Sequence, residues 1–407
     1  MATSRNPPWG GVYGLAGQQS VGSIQDIYSC SDAHSGMLEV YTSEYRGNLI
    51  FALECTDEAI IGPEQVVKKQ YLHVLLKGAS PTVVLLPPGE DALEVLKALP
   101  TTSWEKGSPP HRLIVGQDRA GQVLFRLETS SALIDAMSVP ILLNDLALAL
   151  RGQLPPDVAT PYSEYLACLQ TWPKEETVEY WKGALAGAHP CRLPRRPSAE
   201  EAGSHLAPLS LTSQAYESLA WALVLQHYTQ SADVCFGSIV SGRDIPLPHI
   251  WQMVGPFFNI LPCRMVLDGD VDDGAPRTVL DVLRANQMSI QRRNDDHHYS
   301  VPEVVRQAGL AIHGDQQLFN TVLTVQPQFE PSTSATGIGF ILLEIDDATE
   351  YDMCLAAVLS PGCIELEPGY WSSTCLDAYV SEILDRFCGA VGWIVDHPGD
   401  AITAVAF

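Results

Sequence analysis

The densest cluster of potential metal ligands in the sequence is the run Asp295-Asp296-His297-His298. Neighbouring residues on a helix or a strand point in different directions, so four consecutive side chains rarely converge on one ion. We therefore interpret the run as a solvated helix end and expect no metal site. The sequence patterns of phosphate-binding loops, zinc peptidases and serine hydrolases are also absent. The sequence therefore carries none of these familiar catalytic or phosphate-binding signatures.

The ten cysteines are scattered along the chain and none falls in a C-x-x-C pair. This spacing argues against a structural zinc site, and no Asn-x-Ser/Thr glycosylation acceptor occurs. We therefore expect free thiols in a reducing compartment and a cytoplasmic protein.

The charge balance restricts the classes of partner. The 407 residues include 24 Lys and Arg against 48 Asp and Glu, which gives a formal net charge of −24. Such a surface repels nucleic-acid phosphates and anionic lipids, so we expect neither nucleic acid nor membrane as a partner. No apolar stretch is long enough to span a bilayer. With 46% hydrophobic residues, the chain can bury a large core.

Hydrophobic periodicity predicts both strands and helices in each half of the chain. An amphipathic helix is expected over residues 63–77, and Ser138 is expected to cap a helix that Gly152 ends. The predicted strands cover residues 38–54, 112–115, 123–128, 234–240, 260–266, 319–325 and 354–358. The remaining predicted helices cover residues 162–169, 177–185, 213–228, 278–293 and 376–395.

These elements predict two α+β lobes. A stretch rich in Pro, Arg and Glu over residues 189–203 interrupts the pattern. We therefore assign residues 23–187 to an N-terminal lobe and residues 188–407 to a C-terminal lobe, with a binding cleft between them. Residues 1–22 lack the apolar centre of a signal peptide, and we expect a flexible leader.

Residues 125–152 read FRLETSSALIDAMSVPILLNDLALALRG. This stretch resembles the signature region of condensation domains of nonribosomal peptide synthetases, especially fungal ones, in which a strand leads into His-His-x-x-x-Asp-Gly. The resemblance implies two lobes like chloramphenicol acetyltransferase, arranged as a V around a central tunnel, and no metal or organic cofactor. It extends along nearly the whole chain through segments in the family's order: 24–38, 180–187, 240–259, 298–304 and 318–323.

The signature is altered where the family performs its chemistry. The two family histidines align with Ser130 and Ser131, the glycine aligns with Ala136, and Asp135 remains. In the family, the second histidine orients or deprotonates an amine that attacks a carrier-protein thioester. A serine hydroxyl is not a useful base near neutral pH, although it can donate and accept hydrogen bonds. Ser130 and Ser131 are therefore the candidate catalytic residues.

Asp135 is implied to have a structural role. The family aspartate forms a buried ion pair with the arginine that matches Arg243, and both residues are present here. Breaking a buried ion pair costs about 3–5 kcal/mol, so retaining both residues implies that the loop geometry is kept. The sequence contains no carrier, adenylation or thioesterase segment, and we expect a free-standing protein or a fragment cut as one.

Three classes of function remain open. The first is cyclisation, including a pericyclic one, of a small polyketide- or peptide-type intermediate in a shaped pocket. Asn259, Thr324 and Gln326 would then join the two serines in hydrogen bonding to substrate, and Thr324 and Gln326 share one face of their strand. The second is acyl transfer from a carrier-protein thioester to form an amide, ester or macrocycle, with His34 or His298 replacing the missing base. The third is a non-catalytic relative that binds a carrier protein or a partner synthetase.

Overall fold

The computed structural model describes residues 24–29, 72–76, 82–87, 91–100, 111–129, 133–156, 160–171, 174–196, 208–209, 214–268, 276–295, 304–306, 308–310, 317–327, 338–343, 351–360 and 363–405. Residue contacts divide the chain into two compact units. The first comprises Met1–Ile141, Ala159–Gln170 and Trp251–Pro256, and the second comprises Leu142–Val158, Thr171–Ile250 and Phe257–Phe407. The sequence predicted one boundary, between residues 187 and 188. Each observed unit instead combines segments from both sides of that boundary.

The first unit contains two small β-sheets and helices. Its elements are β1 (Ile24–Ser29), β2 (Leu72–Leu76), β3 (Thr82–Leu85), α1 (Ala92–Ala98), β4 (His111–Gln117), β5 (Val123–Thr129), the first turn of α2 (Ser138–Leu150) and α3 (Tyr162–Gln170). Strands β1 and β2 pair antiparallel, and the second sheet has the order β3-β4-β5. Asp118 holds the turn between β4 and β5, because its Oδ1 accepts hydrogen bonds from the N–H groups of Ala120 and Gln122.

The helix predicted over residues 63–77 is wrong at its C-terminal end. Residues 72–76 form strand β2, and Leu72 pairs with Ser29 of β1. The run Leu-His-Val-Leu-Leu is short and apolar, and periodicity alone cannot distinguish a strand from a helix at this length. The strand predicted over residues 38–54 and the remainder of the 63–77 segment lie outside the described residues.

The second unit is built on a six-stranded mixed sheet with the order β6-β11-β10-β9-β7-β8. Most elements predicted for this unit are confirmed to within a few residues, whereas β6 and β11 were not predicted. The elements are α4 (Lys174–Ala184), β6 (Pro208–Leu209), α5 (Gln214–Thr229), β7 (Asp233–Ser241), β8 (Phe258–Val266), α6 (Val279–Asp295), β9 (Thr321–Pro327), β10 (Met353–Ser360), β11 (Cys363–Tyr370) and α7 (Asp377–Asp396).

The two faces of this sheet differ in burial. Strand register places Leu323 of β9 beside Leu355 of β10 on one face, and both side chains are buried. The next residue along β9, Thr324, lies beside Ala356 on the opposite face, where both are half-buried. Successive residues of a strand alternate between faces, so one face carries the core and the other is partly accessible. We call the face that carries Thr324 and Ala356 the half-buried face.

Gly237 of β7 lies on the half-buried face next to Val322. A Cβ atom at this position would come within 2.7 Å of Cε2 of Phe319, 2.8 Å of Cγ2 of Val322 and 2.9 Å of Cγ2 of Ile260. Carbon atoms cannot approach this closely without displacing their neighbours. Glycine therefore allows the Phe319 ring to pack directly against the sheet.

Arg264 of β8 links β7 to β8 and also holds the segment after helix α4 to the sheet. Arg264 of β8 donates through Nε and Nη2 to the two carboxylate oxygens of Asp233, each at 2.8 Å. Its Nη1 also donates to the carbonyl oxygen of Ala186 at 2.7 Å. Arginine can do this because its planar guanidinium presents several donors in fixed directions.

An aromatic and charged cluster joins α5 to α7. The rings of Tyr228 and Tyr379 meet edge to face with centroids 5.2 Å apart. Arg386 lies 5.9 Å from the Tyr228 ring centroid and donates to Glu382 at 3.2 Å. Burial, followed by the neighbouring Glu382 carboxylate, raises the pKa of Tyr228 to about 12. The fold therefore holds this phenol in its neutral form.

This shift predicts a loss of stability at alkaline pH. The folded-state pKa of Tyr228 lies above the ordinary value of 10.0. The stabilisation is thus fully present below pH 10 and is lost as the pH rises to about 12, because the unfolded chain releases the proton first. We expect Tyr228→Phe to reduce the fall in urea midpoint between pH 9 and pH 11.5. If Tyr228→Phe leaves the fall in urea midpoint unchanged, the raised pKa of Tyr228 is contradicted. A variant in which an exposed tyrosine is replaced by phenylalanine, measured in parallel, shows the change expected without such a shift.

Candidate functional site

The two candidate catalytic serines follow strand β5. The described chain runs to Thr129 at the end of β5 and resumes at residue 133, so Ser130 and Ser131 lie outside the described residues. His34 and His298 also lie outside them. The candidate site is therefore described through the elements that flank the serine pair and through the remaining predicted residues.

The loop after the serines is held by a buried hydrogen-bond cluster. Oδ1 of Asp135 accepts from the N–H of Ser138 at 2.8 Å and from the Ser138 hydroxyl at 2.6 Å. The oxygen of that hydroxyl in turn accepts from the N–H of Gly255 at 3.0 Å. The N–H of Asp135 donates to the Gly255 carbonyl at 3.1 Å. We call Asp135, Ser138 and Gly255 the loop clamp.

The loop clamp explains why helix α2 begins where it does. A carboxylate that accepts from a backbone N–H three residues later satisfies one of the unpaired donors at a helix N-terminus. Ser138 is fully buried and Asp135 is 9% exposed, so these hydrogen bonds are shielded from water. The segment Trp251–Pro256 is also fixed to the first unit by Tyr162, whose hydroxyl donates to the Pro256 carbonyl at 3.2 Å. Asp135 and the Trp251–Pro256 segment that it contacts are thereby both fixed within the first unit.

Strand β5, which leads into the serines, is fixed by a second charged cluster. Glu128 is 7% exposed and lies opposite Arg112 in the β4–β5 register. Its carboxylate contacts Nη2 of Arg112 at 2.8 Å and Nε of Arg126 at 3.0 Å. Nη1 of Arg126 also donates to the carbonyls of Leu96 and Leu99 at the end of α1, at 2.9 and 2.8 Å. The residue two positions before Ser130 is thus held in place.

Arg243 lies in the second unit and is buried, with 1% of its surface exposed. Its Nη1 donates to the Ile250 carbonyl at 2.7 Å, and its guanidinium lies 4.2 Å from the centroid of the Phe257 ring. The backbone N–H of Gly242 donates to the Phe257 carbonyl at 2.6 Å. These contacts hold the Arg243 guanidinium in a defined position. Its ion pair with Asp135 stays a prediction.

The three predicted substrate-binding residues of the second unit do not share a face. Thr324 and Gln326 both lie on the half-buried face, where both side chains are partly accessible. Asn259 pairs with Val240 on the opposite, buried face and is 3% exposed. Its Oδ1 accepts from the N–H of Ile260 at 2.8 Å. The sheet therefore brings Thr324 and Gln326 together and places Asn259 apart from them.

A hydrogen-bond network at the start of β9 escaped the sequence analysis. The side-chain amide of Asn320 accepts from the N–H of Leu193 at 2.8 Å and donates to its carbonyl at 2.9 Å. It also donates to Oδ2 of Asp352 at 2.7 Å, which Arg195 contacts at the same distance. Asn320 lies in the segment 318–323 that carries part of the resemblance. Nothing in the sequence indicated that its side chain bonds to Leu193, 127 positions away. This network anchors the strand that carries Thr324 and Gln326.

In the described part of the chain, potential metal ligands do not cluster, and several of the cysteines are buried. No group of three or more His, Cys, Asp and Glu side chains there is placed to hold a metal ion. Burial raises the pKa of the Cys191, Cys235 and Cys263 thiols, so they remain protonated near neutral pH and are poor nucleophiles. Within the same residues, no helix is both long and apolar enough to cross a bilayer.

Comparison with known proteins identifies relatives along most of the chain. Residues 217–406 match the family model described as the condensation domain. The nonribosomal peptide synthase roqA of Penicillium rubens is 42% identical over 422 aligned residues, which cover 92% of this chain and 18% of that protein. The chain thus spans less than a fifth of the length of this relative. The resemblance inferred from the motifs is confirmed.

Solved structures share the fold at low sequence identity. The X-domain from teicoplanin biosynthesis superposes with a TM-score of 0.69 at 14% identity, covering 97% of this chain and 95% of that one. The X-domain in its complex with OxyB gives 0.68 at 16% identity, with 97% and 93% covered. The expected α+β class is confirmed.

The loop clamp makes a prediction about stability. Ser138→Ala removes the hydroxyl that joins the Asp135 carboxylate to the Gly255 N–H and leaves two buried groups without this partner. We expect a loss of about 1–3 kcal/mol in the free energy of unfolding, measured by urea denaturation. Ser231→Ala is the matched control, because the Ser231 hydroxyl is half-buried and, within the described part of the chain, bonds to its own turn at Asp233. Equal losses in the two variants would contradict the role of the clamp.

Proposed function

Because this chain is a condensation-domain protein related to fungal nonribosomal peptide synthetases, we propose that it closes a ring in a small peptide- or polyketide-type intermediate. The observation that carries the proposal is the combination of a retained loop clamp with Ser130 and Ser131 at the positions of the family histidines. The scaffold of the loop is kept, and the side chain that acts as base is replaced.

Ring closure suits a site that has lost its base. Two reacting groups on one molecule, held in a reactive conformation, gain an effective concentration that can remove about 7–11 kcal/mol from a barrier. A peptide amine that attacks the thioester at the other end of the same chain forms a C–N bond and breaks the C–S bond. The amine proton leaves to water and the thiol is released. A pericyclic closure needs no proton transfer and yields an isomer of its substrate.

In this proposal the serines act by hydrogen bonding. Ser130 and Ser131 donate to a carbonyl oxygen on which charge develops, as an oxyanion-stabilising pair does. Thr324 and Gln326 stay the candidate substrate-binding residues of the second unit, and both of their side chains are partly accessible. Asn259 supports the fold instead, since its side chain lies on the buried face. No cofactor enters the scheme, and a carrier protein presents the substrate in the thioester version.

Acyl transfer between two separate molecules is the second candidate. It is the general reaction of the family, and it would use His34 or His298 as the replacement base for an incoming amine or alcohol. A binding role is the third candidate, and the solved complex of an X-domain with OxyB supports it by analogy. The acidic net charge of −24 weighs against docking of an equally acidic carrier protein.

The test compares metabolites of a producing strain with those of a strain lacking this gene, by mass spectrometry. Accumulation of an isomer of the final product indicates a rearranging closure. Accumulation of a linear acid heavier than the product by one water indicates closure from a thioester. Unjoined acid and amine halves would instead support intermolecular acyl transfer. An unchanged profile would overturn the catalytic proposal.

Variants at the serine position refine this test. Ser131→Ala restored to the deletion strain removes one hydrogen bond. We expect the ring product still to form, at a rate lowered by at most about 10²–10³-fold, the usual cost of losing one oxyanion-stabilising donor. Ser131→His restores the family side chain at the same place. If the histidine variant gains peptide-bond formation between separate molecules, the second candidate replaces the first.

A further inference from the structure

Helix α5 is the most deeply buried helix segment of the second unit that the structure describes. Its residues 217–225 are all buried, and Trp221 packs against Phe387 of α7 with ring centroids 6.4 Å apart. Helices that are buried on all sides usually carry only apolar side chains. This helix departs from that pattern at one place.

Three polar side chains are clustered there. Glu217, Ser218 and Trp221 are each fully buried, with none of their surface exposed. Oγ of Ser218 and Nε1 of Trp221 have no hydrogen-bond partner among the described residues. A buried polar atom without a partner costs about 1–3 kcal/mol, so native proteins rarely leave two of them side by side.

Helix geometry places the three groups next to one another. Each residue advances about 100° around an α-helix, so Glu217 and Trp221 are separated by about 40° and Ser218 and Trp221 by about 60°. Residues three and four positions apart lie over one another on one face. The indole N–H, the hydroxyl and the carboxylate therefore border one small region on the α5 surface.

The chemistry of these groups selects the ligand. The indole N–H can only donate, the carboxylate can only accept when ionised, and the hydroxyl can do either. A cation offers the indole no acceptor, and an anion is repelled by Glu217. A neutral molecule that both accepts and donates satisfies all three groups.

We propose that Ser218 and Trp221, beside Glu217, bind one buried structural water molecule between α5 and α7. Its oxygen accepts from Nε1 of Trp221. Its two hydrogens are donated to Oγ of Ser218 and to the Glu217 carboxylate. This gives the water about three partners, the usual number for solvent inside a protein.

A crystal structure of the chain that resolves ordered solvent tests the site directly. We expect a water peak within hydrogen-bond distance of both Nε1 of Trp221 and Oγ of Ser218. A well-ordered map that shows no peak there, or a protein atom bonded to both groups, would overturn the proposal.

A double-mutant cycle tests the same water in solution. Trp221→Phe and Ser218→Ala each remove one of its partners, and we expect each to lower the melting temperature by about 2 °C or more. The double variant should lose clearly less than the sum, because either change alone already releases the water.

The pair Trp221→Phe with Ser231→Ala is the matched control and should be additive. Ser231 lies ten positions further along the chain, and its hydroxyl already bonds to the Asp233 carbonyl at 2.8 Å. If Ser218→Ala and Trp221→Phe are neutral or add up in the same way as the control pair, the two groups are not linked and the proposal fails.

Discussion

The hydroxyl of Ser138 joins the loop before helix α2 to a segment of the first unit that is distant in the sequence. It contacts the Asp135 carboxylate, lies at the start of helix α2 and accepts from the Gly255 N–H 117 residues away. Because the group is fully buried, water cannot replace any of these hydrogen bonds. This cluster and the Glu128 cluster that fixes strand β5 hold the described residues on either side of Ser130 and Ser131 in the sequence.

On the proposed function, this chain keeps the architecture of the family and changes its chemistry. The aspartate of the signature holds the backbone, and it does so through a helix cap that needs no histidine nearby. A loop held in this way can accept a different side chain at the reactive position without unfolding. On the proposed function, the pocket contributes shape and hydrogen bonds, while the reactivity resides in the substrate.

The sequence predicted the features that depend on local patterns. The helix beginning near Ser138 was predicted because its apolar spacing is a local signal. Its cap was assigned wrongly, because Asp135 and not Ser138 accepts from the backbone N–H at the start of the helix. Strand β11 was missed, since Glu365, Glu367 and Pro368 weaken its strand pattern, although Pro361-Gly362 before it is a turn signal. The faces of Asn259 and Thr324 could not be predicted to differ, because they depend on the register of β8 and β9 against β7. Long-range contacts such as Asn320 to Leu193 leave no mark in a single chain.

The missing side chain at Gly237 also affects how the protein can diversify. The Phe319 ring covers this end of the half-buried face so closely that no larger residue fits. Ligands of different size cannot be accommodated there by simple substitution. The other end of the same strands, at Thr324 and Gln326, has partly accessible side chains and no such restriction. On the proposed function, changes in what the protein recognises are expected to accumulate at positions 324 and 326, while position 237 stays fixed among relatives with different substrates.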